Sequence, residues 1–180
     1  MEHMLKTEGE IDFLAVNIAV LTISDSRTLK DDNSGNVLVN LIEEAGHNVA
    51  ARDIIPDDID VIVEKLNSCV SNKSIDVVVA TGGTGITGRD VTPEAFGQVC
   101  EKEIPGFGEL FRWISFQKIA TSTIQSRATA GVAGGTYLFS LPGSPGACKD
   151  AWNEILIHQL DVRHKPCNLV ELMPRLKEHL

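Results

Sequence analysis

Cysteine pairs are the first thing the chain lacks. Its 180 residues include four cysteines, Cys69, Cys100, Cys148 and Cys167, and none sits at the CxxC spacing that marks zinc or dithiol chemistry. They read as reduced thiols, mostly buried. Basic residues are also few, since 25 acidic against 16 basic side chains leave a net charge of −9. A surface that neutralises nucleic acid needs clustered Lys and Arg, which makes nucleic acid a poor partner here. No apolar run reaches membrane-spanning length, and residues 1–10 are polar and acidic where a leader would be basic and then apolar. The expectation is a cytoplasmic protein with no membrane partner. There is no internal repeat or linker. His47, His158 and His164 show no metal-ligand spacing, and no Ser–His–Asp or Cys–His set suggests covalent catalysis.

What is present is a globular composition, with 43% apolar and 23% charged residues, enough for one domain with its own core. Residues 1–14 hold few apolar anchors and are expected as a loose N-terminal arm before a single domain over 15–180. Short, β-branched apolar runs at 16–23, 75–80 and 136–141 predict strands covered on both faces. A more polar run at 49–55 predicts another. Helical spacing follows Ser34-Gly35, with Gly46 as the stop, and returns over 59–70. Thr92 with Pro93 starts a helix over 93–102, helical patterns span 109–130, and Ser144 with Pro145 starts a last helix to about 160. Strands alternating with helices predict a three-layer α/β/α sandwich with a mainly parallel sheet. Ligands of such sheets bind beyond the carboxyl ends of the strands. Here those ends carry Ser24-Asp25, Pro56-Asp57, the Gly82-Gly83-Thr84-Gly85 turn and Pro142-Gly143-Ser144.

In the glycine turn, absent Cβ atoms could let backbone N–H groups reach a phosphate; a ligand-free strand-to-helix turn explains the same residues. The spacing Gly83-x-Gly85-x-x-Gly88 satisfies a dinucleotide fingerprint only formally, because the helix starts later, at Thr92-Pro93, and Glu103 sits beside a helix end. Asp90 and Asp57 beside a phosphate cradle suit Mg²⁺. The alternatives are helix capping by Asp57 or Asp58 and an Asx-turn at Asp90. Residues 121–127, including Ser126 and Arg127, could hold a polar ring or phosphate or could be helix surface, and Arg27, Arg89 and Arg112 are equally open. Phe107, Phe111, Trp113 and Phe116 crowd one segment, as core or as a subunit interface.

The blocks LTISDSR (21–27), DNSG (32–35), EAGH (44–47), TGGTGITGRDVTPEAF (81–96), EIPGFGELFR (103–112), QSRATAG (125–131) and LPGSPGA (141–147) resemble, in this order, the molybdopterin-binding MoaB/Mog family. The likeness covers about residues 15–165. It implies a three-layer α/β fold, assembly as a homotrimer or homohexamer, and adenylylation of molybdopterin. In that reaction Mg-ATP gives AMP to the pterin's terminal phosphate, pyrophosphate leaves, and a downstream partner inserts molybdate or tungstate. The resemblance implies nucleotide contacts at Gly82, Gly83, Thr84 and Gly85. It matches Asp57 and Asp90 to the family's essential aspartates, here assigned to catalysis and Mg²⁺. The pterin would face Ser126 and the turn Pro142, Gly143 and Ser144, with Ser24 and Asp25 beside it. A carrier that binds molybdopterin without adenylylating it is the competing function; a Rossmann oxidoreductase is disfavoured by the misplaced glycines.

Overall fold

The protein is described by a computed structural model over residues 11–178. Four neighbouring strands of the sheet run parallel: β1 (Asn17–Ile23), β2 (Asn48–Ile55), β3 (Val77–Thr81) and β6 (Thr136–Leu141). Two more strands, β4 (Lys102–Glu103) and β5 (Thr129–Ala133), complete the order β2-β1-β3-β6-β5-β4, and β5 pairs antiparallel with both of its neighbours. Alternate side chains of β1 supply both faces. Ile18 and Val20 meet Leu38, Phe111, Phe139 and Trp152 on one side, while Ala19, Leu21 and Ile23 meet Ile62, Leu66 and Phe96 on the other. This double burial is why β1, β3 and β6 read as continuous apolar runs.

Helices cover the two faces. α1 (Asn33–Glu44), α4 (Pro105–Ile119) and α5 (Pro145–Ala151) lie on the first, and α2 (Ile59–Ser71) and α3 (Thr92–Val99) on the second. Asp32 caps α1 by accepting from Gly35 N, Asp58 caps α2 by accepting from Val61 N, and Ser144 caps α5 by accepting from Ala147 N. Gly46, at φ +85°, ends the first helical segment as a left-handed residue should. The register levels the strand ends. Ile23 faces Ile55, Thr22 faces Thr81, and Thr81 faces Leu141, so four loops emerge side by side.

Several expectations are corrected. Thr92 does not cap α3: its hydroxyl donates to Gly82 O at 2.9 Å, Val91 holds the cap position, and the helix stops at Val99 instead of 102. The helix expected from 109 begins earlier, with Pro105 in its first turn, and ends at Ile119. A 3-10 turn (Ala120–Gln125) and strand β5 follow in place of further helix. The last helix is interrupted by π-helical residues Trp152–Leu156 before α6 (Ile157–Gln159), and a short α7 (Leu169–Leu172) was not expected. Of the N-terminal arm, residues 1–10 lie outside the described residues; Phe13 packs against His47 with ring centroids 5.1 Å apart. All four cysteines are free, with Cys69 and Cys148 buried, Cys100 half-buried and Cys167 exposed.

Candidate functional site

Above the levelled strand ends lies a cavity of about 590 Å³. Its wall includes Gly82, Gly83, Thr84 and Gly85 after β3, Asp57 after β2, Asp90 beyond the glycine turn, and Ser24 after β1. Pro142, Gly143 and Ser144 after β6 and Ser126 after the 3-10 turn complete the wall. Asp25 is the exception among the expected site residues. It lines a neighbouring cavity of about 440 Å³, is paired with Arg89, and accepts the Asp57 backbone N–H at 3.1 Å.

The two aspartates sit in opposite electrostatic environments. Burial pushes the Asp57 carboxyl above its ordinary pKa, the Asp25 and Asp90 charges add to this, and the Asp25 N–H and Arg89 offset only part. Because Asp58 rather than Asp57 caps α2, the Asp57 side chain stays with the cavity. Asp90 is held below its ordinary value, chiefly by the Thr87 hydroxyl at 2.6 Å, with the Thr87 and Gly85 N–H groups and Arg127 helping against burial. The Asp90 carboxylate folds back on Thr87, three residues earlier, while the Thr92 N–H that an Asx-turn would use donates to Gly83 O; Asp90 also has a place in the cavity wall. Among the described residues no three His, Cys, Asp or Glu side chains gather into a metal cage. Two carboxylates with open surroundings fit a hard cation that completes its shell with water and phosphate oxygens.

Two of the glycines have a packing reason of their own. At Gly82, φ +112°, an added Cβ would lie 2.2 Å from Ile23 O, and at Gly83, φ +62°, it would lie 2.4 Å from Thr92 Oγ1 and 2.9 Å from Asp57 Oδ1. The missing side chains at 82 and 83 are thus required by the protein's own packing. Gly143 presses on the same turn, with an added Cβ 3.2 Å from Gly82 Cα.

Three arginines left open by the sequence take defined places. Arg27 lines the cavity and donates to Ser34 Oγ at 2.5 Å and Gly143 O at 3.0 Å. It stands 3.7 Å from the buried Asp32. Burial raises the Asp32 carboxyl, and the Gly35 N–H, the Thr22 hydroxyl and Arg52 more than reverse it. Arg112 donates to Ala128 O at 3.1 Å, a structural tie. Arg89 lines the cavity mouth with Asp25 as its ion-pair partner. Sequence reasoning did not single out Asp32 as the anchor of Arg27; its place in DNSG was the available signal.

The comparisons agree with this architecture. Residues 19–162 match a family model described as a probable molybdopterin binding domain. Molybdenum cofactor biosynthesis protein B of Escherichia coli K12 is 43% identical over 167 residues, 93% of this chain and 96% of that protein. A crystal structure of a molybdenum cofactor biosynthesis protein B superposes with a TM-score of 0.83 at 40% identity, covering 92% of this chain and 98% of the other. The tungsten cofactor synthesizing protein MoaB from Pyrococcus furiosus gives 0.70 at 32% identity, covering 92% and 96%. With four-fifths of its length inside that family model and its strand-end loops gathered into one cavity, the chain belongs to the molybdopterin-binding domain family.

Proposed function

We propose that this chain acts in molybdenum or tungsten cofactor biosynthesis, in the cytoplasm, by transferring AMP from ATP to molybdopterin. The observation that carries the reading is the meeting of Asp57, Asp90 and the glycine turn with Ser126 and Pro142-Gly143-Ser144 in one cavity. Asp57, Asp90 and the glycine turn offer carboxylates and a tight backbone, as a nucleotide's phosphates and their cation require; Ser126 and Pro142-Gly143-Ser144 offer hydroxyls and backbone, as a polar ring requires.

In the reaction, an oxygen of the molybdopterin terminal phosphate attacks the α-phosphorus of ATP. The bond from that phosphorus to the bridging oxygen of the β-phosphate breaks, and pyrophosphate leaves with the electron pair. The attacking phosphate is already ionised at neutral pH, so no general base is needed, and among the described residues no histidine lines the cavity. The chain's task is to align two anionic partners. Asp57 and Asp90 would hold Mg²⁺, which supplies neutralisation of the phosphate charge. A bound cation would draw the Asp57 carboxyl back down, because a nearby positive charge opposes the effects of burial and of the Asp25 and Asp90 charges. Gly82, Gly83, Thr84 and Gly85 would seat the nucleotide phosphates, and Ser24, Ser126, Pro142, Gly143 and Ser144 the pterin side. Asp25 would act at one remove, through Asp57 and Arg89.

The functional unit is proposed to be a homotrimer or homohexamer. Phe107 and Phe111 are buried in the core, but Trp113 is 63% and Phe116 52% exposed on the outer face of α4, an apolar surface that a second copy would cover. The adenylylated product would pass to a protein that inserts molybdate or tungstate. Pyrophosphate release by the purified chain tests the proposal: it should require ATP, Mg²⁺ and molybdopterin together, and binding of molybdopterin without release would replace adenylylation with a carrier role.

A further inference from the structure

Arg127 belongs to the QSRATAG block and has no assigned part in the reaction above. Its guanidinium donates to Gly85 O at 2.6 Å through Nε and to Asp90 O at 2.7 Å through Nη2, and pairs through Nη1 with Glu94. Its own backbone N–H donates to Thr84 O at 3.0 Å. One residue thus takes three carbonyls from the turn that carries both the phosphate seat and Asp90. Its ion-pair partner among the described residues is Glu94, at the start of α3.

The geometry of a planar peptide converts these contacts into an orientation. A trans peptide points its N–H opposite its C=O. With Thr84 O turned toward Arg127, the Gly85 N–H points the other way, toward the Asp90 carboxylate, which it helps hold in its ionised form. The Asp90 carboxylate in turn folds over Gly85, where an added Cβ would lie 2.7 Å from Asp90 Oδ2. Gly85, Thr87 and Asp90 therefore form a closed turn, with carbonyls on the Arg127 side and the carboxylate on the other. A lysine could not reproduce this, because one ammonium on a flexible stem cannot place rigid, diverging donors on Gly85 O, Asp90 O and Glu94 at once.

We infer that Arg127 is a positioning residue for the proposed transfer, setting the glycine turn and the Asp90 carboxylate in the geometry that receives the cation and phosphates. This rests on the adenylylation reading. It assigns to Arg127 no contact with substrate: the guanidinium is committed to the back of the turn.

The test compares the full chain with Arg127→Lys and with Glu94→Gln, which removes the ion pair and leaves the carbonyl contacts. In folded Arg127→Lys, kcat should fall at least about tenfold and the half-saturating Mg²⁺ concentration should rise by a similar factor, while KM for ATP moves much less. Glu94→Gln should stay within about threefold of the parent in all three. A role limited to folding would lower the active fraction and leave the Mg²⁺ requirement fixed. Unchanged kcat and Mg²⁺ requirement in Arg127→Lys, or a loss that tracks unfolded protein, would overturn the inference. If the parent chain itself releases no pyrophosphate, the adenylylation reading fails separately, and amide hydrogen exchange decides whether Arg127 sets the turn. Exchange over residues 82–90 should quicken at least about tenfold in folded Arg127→Lys, and equal exchange rejects the inference.

Discussion

Asp57 gives its backbone N–H to the Asp25 carboxylate across 3.1 Å, and that same carboxylate repels the Asp57 side chain. The backbone contact fixes Asp57 where its charge is unwelcome. A group whose folded pKa is raised destabilises the fold once pH passes its unfolded value, here 3.8, and the penalty grows up to the folded pKa. Asp57→Asn should therefore raise the melting temperature at pH 7 and lower turnover on the order of a hundredfold. Asp90, whose carboxyl is held low by Thr87, should behave differently: Asp90→Asn loses comparable activity with no gain in stability. Calorimetry beside pyrophosphate release checks both, and an Asp57→Asn protein that is active or less stable contradicts the assignment.

Gly83→Ala should destabilise the protein before any nucleotide is added. Its φ is +62° and the new Cβ would press on Thr92 Oγ1 and Asp57 Oδ1, for a cost on the order of 1–2 kcal/mol from the left-handed backbone alone. Urea unfolding of the ligand-free protein measures this. A variant as stable as its parent, with weakened ATP binding, would return Gly83 to the simpler role of leaving room for a phosphate.

His47 makes stability depend on pH near neutrality. Burial lowers its pKa, Asp161 offsets part, and Nδ1 accepts the Val16 N–H at 3.2 Å. Protonation would cost this bond. Since the folded pKa lies below the ordinary 6.5, the unfolded chain binds the proton first, and stability should fall as pH drops from 6.5 toward the folded value. The urea midpoint should be lower at pH 5.5 than at pH 7.5. His47→Gln, which keeps an acceptor, should flatten that difference, and an equal difference in both proteins would show that other groups cause it.

Trp113→Glu should dissociate the proposed oligomer without unfolding the subunit. Trp113 is exposed on α4 while Phe111, two positions earlier, is in the core, so a charge at 113 meets solvent in the monomer and an apolar partner in the assembly. Light scattering should move from a trimer or hexamer to a monomer, and a parent chain already monomeric at micromolar concentration would remove the proposal.

The strands buried on both faces were legible because their local composition and tertiary setting agree: VNIAVLTI and TYLFSL contain little but apolar and β-branched residues. Strand β5 was not, since Thr129-Ala130-Gly131-Val132-Ala133 is small and alanine-rich and becomes a strand only by pairing with β6. Thr92 was misread for a related reason: its hydroxyl finds Gly82 O, ten residues back, and a distant acceptor is invisible to local capping rules. The aspartates and loops of the cavity stood out because they follow strands directly. Arg127 stood out only as a possible contact to a ring or phosphate, and its hold on the glycine turn did not show, because its partners there are main-chain carbonyls of Gly85 and Asp90, and carbonyls leave no mark on a sequence.

The close seating of Gly143 on Gly82 ties two loops backbone to backbone, with no side chain between them to bend or rotate. The two loops therefore move as one piece, and a displacement of the turn after β6 passes directly to the glycine turn after β3. A group that seats against Pro142-Gly143-Ser144 is then felt at Gly82, so filling one part of the cavity sets the shape of the other.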